Sequence, residues 1–202
     1  ISGSITPLIR VTNLTLRNGS AASAPVGLNI YNAFGSIEVD NVIVHGNRAL
    51  SSQFLGGVAM TLDSTTRDIT LRNSLIYDNQ GQFITGFELT SVVFTSLSLS
   101  PNRNWYATNN TIVAGAGVAT EGIRLQSDGN FWVSNNIVRG TVGYAGSITG
   151  AGAATAPQLR QLFNNFAATP ATSETVVVSN VSNTLVDPQL DPASNALLPT
   201  SP

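Results

Sequence analysis

IEVDNVIVHGN, residues 37–47, alternates apolar Ile37 and Val39 with acidic Glu38 and Asp40, breaks at Asn41, and resumes as a second short apolar run. Alternation of this kind marks a strand with one face toward a core. The pattern recurs as IRVTNLTLRNG from Ile9, ITLRNSLIYDN from Ile69, WYATNNTIVAG from Trp105 and FWVSNNIVRG from Phe131. The aligned asparagines are Asn13, Asn41, Asn73, Asn109 and Asn135, at spacings of 28, 32, 36 and 26 residues. A constant motif at variable spacing means levels of equal cross-section joined by loops of unequal length.

A second motif lies between these: GLNIYN from Gly27, GVAMTL from Gly57, GFELTS from Gly86 and GIRLQS from Gly122. Each repeat therefore holds three short strands: one after the glycine, one before the asparagine and one after it. Strands stacked on their equivalents form parallel sheets. No stretch shows sustained helical periodicity. The expected fold is all-β: a right-handed parallel β-helix of five or six coils with three short parallel sheets. It is read as one domain over residues 1–202.

Alternation assigns the faces. Ile9, Ile37, Ile69, Trp105 and Phe131 should point inward, with Val11, Val39, Leu71, Ala107 and Val133 beside them. After the asparagine, Leu16, Val44, Ile76 and Ile112 should do the same. From the glycine motif, Leu28, Val58, Phe87 and Ile123 should form one inward row, and Ile30, Met60, Leu89 and Leu125 the next.

Asparagine tolerates the left-handed backbone, and its amide can pair with the amide of the next level. Asn13, Asn41, Asn73, Asn109 and Asn135 are thus expected to form a buried ladder at one bend, with Asn47 and Asn79 a shorter ladder at the next. Four sequons occur, at Asn13, Asn18, Asn109 and Asn180. Ladder burial would withhold the amides of Asn13 and Asn109 from a glycan.

The xVxNxxIxxN pattern resembles the parallel β-helix repeat of the pectate-lyase-like superfamily. LFNNF at Leu162–Phe166 and DPQLDPASNALLPTSP from Asp187 resemble the closing signature of bacterial secreted β-helix proteins. The resemblance implies an extracellular or cell-surface location and an extended closing segment over residues 187–202. It leaves the activity open, because this repeat serves lyases, hydrolases, epimerases, tailspikes and adhesins.

Of the 202 residues, 42% are hydrophobic and only 10% charged, with a formal net charge of −2. Ordinary domains carry about 25% charged residues. All nine basic residues are arginine. No basic patch is visible, so nucleic acid is not an expected partner. The absence of cysteine excludes disulfides, thiolate metal sites and cysteine nucleophiles. No apolar run reaches the length of a membrane span.

Two carboxylates on one outward face are the best candidates for chemistry. Glu38 and Asp40 stand two residues apart, roughly 7 Å by strand rise. Arg72 is expected beside Asp40 and Arg10 beside Glu38. Glycoside hydrolysis needs two carboxyls about 5–9.5 Å apart. Lyases related by the resemblance often add calcium, which needs several oxygen ligands. Tyr106 and Trp132, further along the face, could stack on sugar rings. The same residues read equally as cross-strand charge pairs and a surface aromatic pair. Glu88 with Arg124 and the single histidine, His45, read as surface features, and Asp63 and Asp128 as turn residues.

Two functions are therefore carried forward. The first is a secreted or cell-surface scaffold, meaning a stalk, adhesin or assembly subunit that binds polysaccharide weakly at Tyr106 and Trp132 and uses no cofactor. The second is a polysaccharide lyase or glycoside hydrolase built on Glu38, Asp40 and Arg72. Apolar Ile5, Leu8, Ile9 and Val11 open the chain with no recognisable cap. Self-association or upstream coils are expected to cover that end, the chain being a piece or mature product of something longer.

Overall fold

A computed structural model describes residues 8–21, 27–33, 35–49, 57–62, 68–80, 89–96, 104–113, 120–127, 130–139, 141–146, 158–166, 171–173 and 176–185. Ile5, Asp63, Phe87, Glu88, Asp128 and the segment 187–202 lie outside them. All 19 regular elements among the described residues are β-strands.

Seven strands form a first row in chain order: Leu8–Arg17, Ser36–His45, Asp68–Arg72, Asn104–Thr108, Asn130–Ser134, Gln158–Leu162 and Val176–Val181. Every pairing between them is parallel. The two earliest strands run straight through the asparagine bend. They continue into a second row made by Leu75–Tyr77, Thr111–Val113, Ile137–Arg139 and Asn165–Phe166. The rows before and after the asparagine are therefore one 11-stranded sheet, where the sequence suggested two. A parallel sheet of six strands, from Leu28–Ala33 to Ala171–Ser173, carries the glycine motif.

The inward rows form as alternation requires. Ile9, Ile37, Ile69, Trp105, Phe131 and Leu159 are successive register partners. All but Ile9 are fully buried. Leu16, Val44, Ile76, Ile112, Val138 and Phe166 make the matching row after the bend. Burial of each such side chain is worth about 1.5–3 kcal/mol, and long-range stacking, not local helix or hairpin formation, delivers it.

One register expectation fails. Val58 and Met60 pair with Val92 and Phe94, not with Phe87 and Leu89. VVFTS repeats the apolar–polar order of VAMTL without a preceding glycine, so the glycine of GFELTS is not the marker of this level. Ile123 and Leu125 likewise pair with Val92 and Phe94.

The bend itself is left-handed at every level. Asn13, Asn41, Asn73, Asn109 and Asn135 have φ of 52–55°, and Phe163 and Ser182 hold the same place at 56° and 52°. An L-residue here costs roughly 1–2 kcal/mol, which asparagine lowers through its small polar side chain. That Phe163 also adopts it shows the stack imposing the geometry. Asn18, Gly46 and Asp78 repeat the device at the following bend.

The expected burial of these five asparagines is not found: all are exposed. A left-handed residue turns its side chain out of the bend, and the next residue turns in. The buried ladder therefore lies one position on. The backbone N–H of Ser74 donates to Asn110 Oδ1 at 3.1 Å, that of Asn110 to Asn136 at 3.0 Å and that of Asn136 to Asn164 at 3.0 Å. Asn164 continues it to Asn183 at 2.8 Å. At the following bend Asn47 donates both its N–H and its Nδ2 to Asn79 Oδ1, the short ladder expected from the sequence. Asn13 and Asn109, expected to be shielded, thus have exposed sequon side chains.

Candidate functional site

Alternation turns the even positions of the first row outward and lines them up in columns. One column holds Arg10, Glu38, Thr70, Tyr106, Trp132 and Arg160 in register. The next holds Thr12, Asp40, Arg72, Thr108 and Ser134. All of the candidate residues, Glu38, Asp40, Arg72, Tyr106 and Trp132, are thus on one face.

The charges neutralise one another across levels. Arg10 Nη2 lies 2.8 Å from Glu38 Oε2. Arg72 Nη2 sits 2.5 Å from Glu38 Oε1 and 2.9 Å from Asp40 Oδ2. Asn73 Nδ2 donates to Asp40 Oδ1 at 2.8 Å. Every carboxylate oxygen of the pair therefore has a donor. Arg10, Glu38, Asp40 and Arg72, together with Thr12 and Asn13, line an open depression of about 280 Å³.

Electrostatics follow the contacts. The Asn73 amide holds the Asp40 carboxyl below its ordinary value of 3.8, with Arg72 and Arg10 adding to it and burial opposing. The hydrogen bond from Arg72 to Asp40 raises the guanidinium in turn. A general acid needs the opposite, a carboxyl whose pKa is pushed up. Asp40 is thus a poor proton donor near neutrality. Calcium fits no better, because the Arg72 guanidinium already occupies the position between the two carboxylates that a cation would take. Among the described residues no group of three or more His, Cys, Asp or Glu is placed to hold a metal ion.

Tyr106 and Trp132 stack one level apart, ring centroids 6.2 Å apart and planes 22° from parallel. Arg160 covers the far side of Trp132, its guanidinium carbon 4.3 Å from the ring centroid. Both faces of Trp132 are consequently taken by neighbours along the stack. The indole Nε1 is enclosed without a partner, and burial raises the Tyr106 phenol, with the Asp68 charge adding to it. In-register stacking offers ring edges to the outside, whereas a sugar platform needs an open ring face.

Arg160 was missed in the sequence because LFNNF aligns best by its last asparagine pair with NN at 135–136. That match is one residue out: Phe163 takes the left-handed place of Asn135, and the observed register sets Leu159 and Arg160 beside Phe131 and Trp132. Also missed was an amide column flanking the aromatics. Asn104 Nδ2 donates to Asp68 Oδ1 at 2.9 Å and Asn130 Nδ2 to Asn104 Oδ1 at 3.3 Å. His45 takes the register position of Arg17 and Tyr77 and stacks on the Tyr77 ring at 4.7 Å.

The architecture defines a class, an all-β stack of parallel strands with asparagine ladders at its bends. No protein-family model, curated protein or solved structure significantly matches the chain. Among the described residues no helix is long and apolar enough to cross a membrane.

Proposed function

We propose that this chain is a right-handed parallel β-helix segment serving as an extracellular or cell-surface scaffold, with no catalytic role for its charged cluster. Right-handed crossovers dominate parallel β connections, and the seven-strand first row supplies the stacked levels of the helix. One observation carries the functional reading: Arg72 bridges Glu38 and Asp40, so the only paired carboxylates of the described face are ligands to an arginine from the next level. Such a cluster braces levels against each other and leaves no free acid. The low charge and the polar amide columns suit a rod that is wetted by uncharged groups.

The test is depolymerisation. The wild-type chain and the Glu38→Gln/Asp40→Asn variant are incubated with pectic, alginate-type and cell-wall polysaccharides, and reducing ends and unsaturated uronate are measured. Neither protein should release product above a boiled control. Release by the wild type, abolished in the variant, would establish the lyase or hydrolase reading instead.

A further inference from the structure

We propose that Asn18–Gly19 is a self-modification site, which converts to aspartate and isoaspartate when its bend opens, and that Asn47 on the next level keeps it shut while the levels are closed.

Only once in the chain does glycine follow asparagine, at Asn18–Gly19. An asparagine side chain can be attacked by the backbone nitrogen of the next residue. Here the Gly19 nitrogen would bond to Asn18 Cγ, the Cγ–Nδ2 bond would break, and ammonia would leave carrying the Gly19 proton. Water then opens the cyclic imide at one carbonyl or the other, giving aspartate or isoaspartate. Glycine favours this step because no Cβ crowds the approach.

The fold holds both reacting groups. Arg17 pairs with His45 and Ser20 with Arg48, so Asn18 and Gly19 stand beside Gly46 and Asn47. The Gly19 N–H donates to Asn47 Oδ1 at 2.9 Å. Asn47 is itself fixed: it is buried, its N–H and Nδ2 both donate to Asn79 Oδ1, and Nδ2 also reaches the Leu16 carbonyl at 3.2 Å. The Asn18 carboxamide rests on the bare Cα of Gly46. A Cβ there would lie 2.7 Å from Asn18 Oδ1 and 3.8 Å from its Cγ. The Gly19 nitrogen cannot keep its bond to Asn47 and also turn onto Asn18 Cγ. Asn18 is exposed, so water for the second step is at hand.

The product would not fit the closed bend. Isoaspartate routes the backbone through Cβ and Cγ, one atom longer than before. The Arg48 N–H donates to the Gly19 carbonyl at 2.8 Å, and Ser20 and Ala21 pair with Arg48 and Ala49. An added backbone atom just before Gly19 throws these contacts out of register. A reversible opening is thereby made permanent, and the seam between the two levels is weakened where it occurred.

The test uses the 202-residue chain. It is incubated at mildly alkaline pH, native and in strong urea, and peptide mapping by mass spectrometry follows aspartate and isoaspartate at position 18. Native conversion should be slower by about tenfold or more, because the nitrogen is free only for the fraction of time that the bend is open. Asn47→Ala removes the acceptor and should bring the folded chain toward the rate in urea. If circular dichroism shows that variant unfolded, wild type in urea below its unfolding transition replaces it. Conversion should then rise in step with hydrogen exchange at the Gly19 N–H. Equal rates in the native chain and in urea would overturn the proposal. So would a folded Asn47→Ala chain that converts no faster than wild type, or conversion that does not follow Gly19 exchange.

Discussion

The backbone N–H and the side-chain Nδ2 of Asn110 both donate to Oδ1 of Asn136, each at 3.0 Å. Asn136 repeats the contact on Asn164 at 3.0 and 2.9 Å, and its Nδ2 also reaches the carbonyl of Ala107 at 2.7 Å. Each amide therefore ties three successive levels together. Asn136→Leu strands the Asn110 donors and the Ala107 carbonyl in a buried site, at about 1–3 kcal/mol for each unsatisfied group. Partial relaxation should leave a net loss of about 3 kcal/mol in urea denaturation. A loss under about 1 kcal/mol would mean that the ladder is not what holds these levels.

The neighbouring Asn135 should respond in the opposite sense. It is exposed at φ 54°, so its conformation matters more than its side chain. Asn135→Gly should stay within about 1 kcal/mol of wild type, since glycine accepts this region freely. Asn135→Val should cost about 1–2 kcal/mol or more, because β-branched residues resist it. Equal losses in the two variants would place the effect in lost amide contacts instead.

These two residues also show what the sequence made legible. The repeat, the inward rows and the column of outward charges follow from apolar–polar alternation around Asn41, because a period of two leaves no choice of face. Which asparagine was buried did not follow, since the left-handed bend inverts the side-chain direction for one residue. The doublets at 109–110 and 135–136 held that information: one amide makes the turn and the other fills the interior. The pairing of Val92 with Val58 was hidden for a different reason. Strand register in a stack is set by long-range contact, and a glycine before a short apolar run is too common to fix it. At the candidate site the pairs Arg10–Glu38 and Asp40–Arg72 were readable from spacing. The reach of Arg72 to both carboxylates, which removes the free acid, depends on side-chain conformation and was not.

Acid should loosen the charged face. Asp40 has its folded pKa below the ordinary 3.8, chiefly through Asn73. A depressed carboxyl contributes stability that is present in full above its unfolded value and lost as pH falls through the folded value. The melting temperature should therefore drop as pH is taken below about 4, and Asp40→Asn should flatten that limb while changing little above it. A variant with the same acid slope as wild type would assign the loss to other groups.

Arg160→Ala should uncover one face of Trp132. The other tryptophan, Trp105, is buried in the core, so added acrylamide quenching would report on Trp132 alone. The variant should quench more strongly and lose about 0.5–1 kcal/mol, the usual worth of an exposed cation–π contact. Wild-type emission should not respond to soluble polysaccharide, because both ring faces are occupied. A saturable response in wild type that vanishes in Trp132→Ala would show that sugar binds there after all.

Glu38 and Arg72, proposed to brace adjacent levels without performing chemistry, are open to a double-mutant cycle on stability. Catalytic groups are commonly held at a cost to stability, so neutral replacements tend to stabilise. Bracing groups behave the other way. Thermal unfolding of Glu38→Gln, Arg72→Gln and the double variant should show each single change lowering the midpoint and the double change lowering it by less than the combined loss, with the coupling fading at high salt. A Glu38→Gln chain that melts higher than wild type, with no coupling to Arg72, would contradict the account.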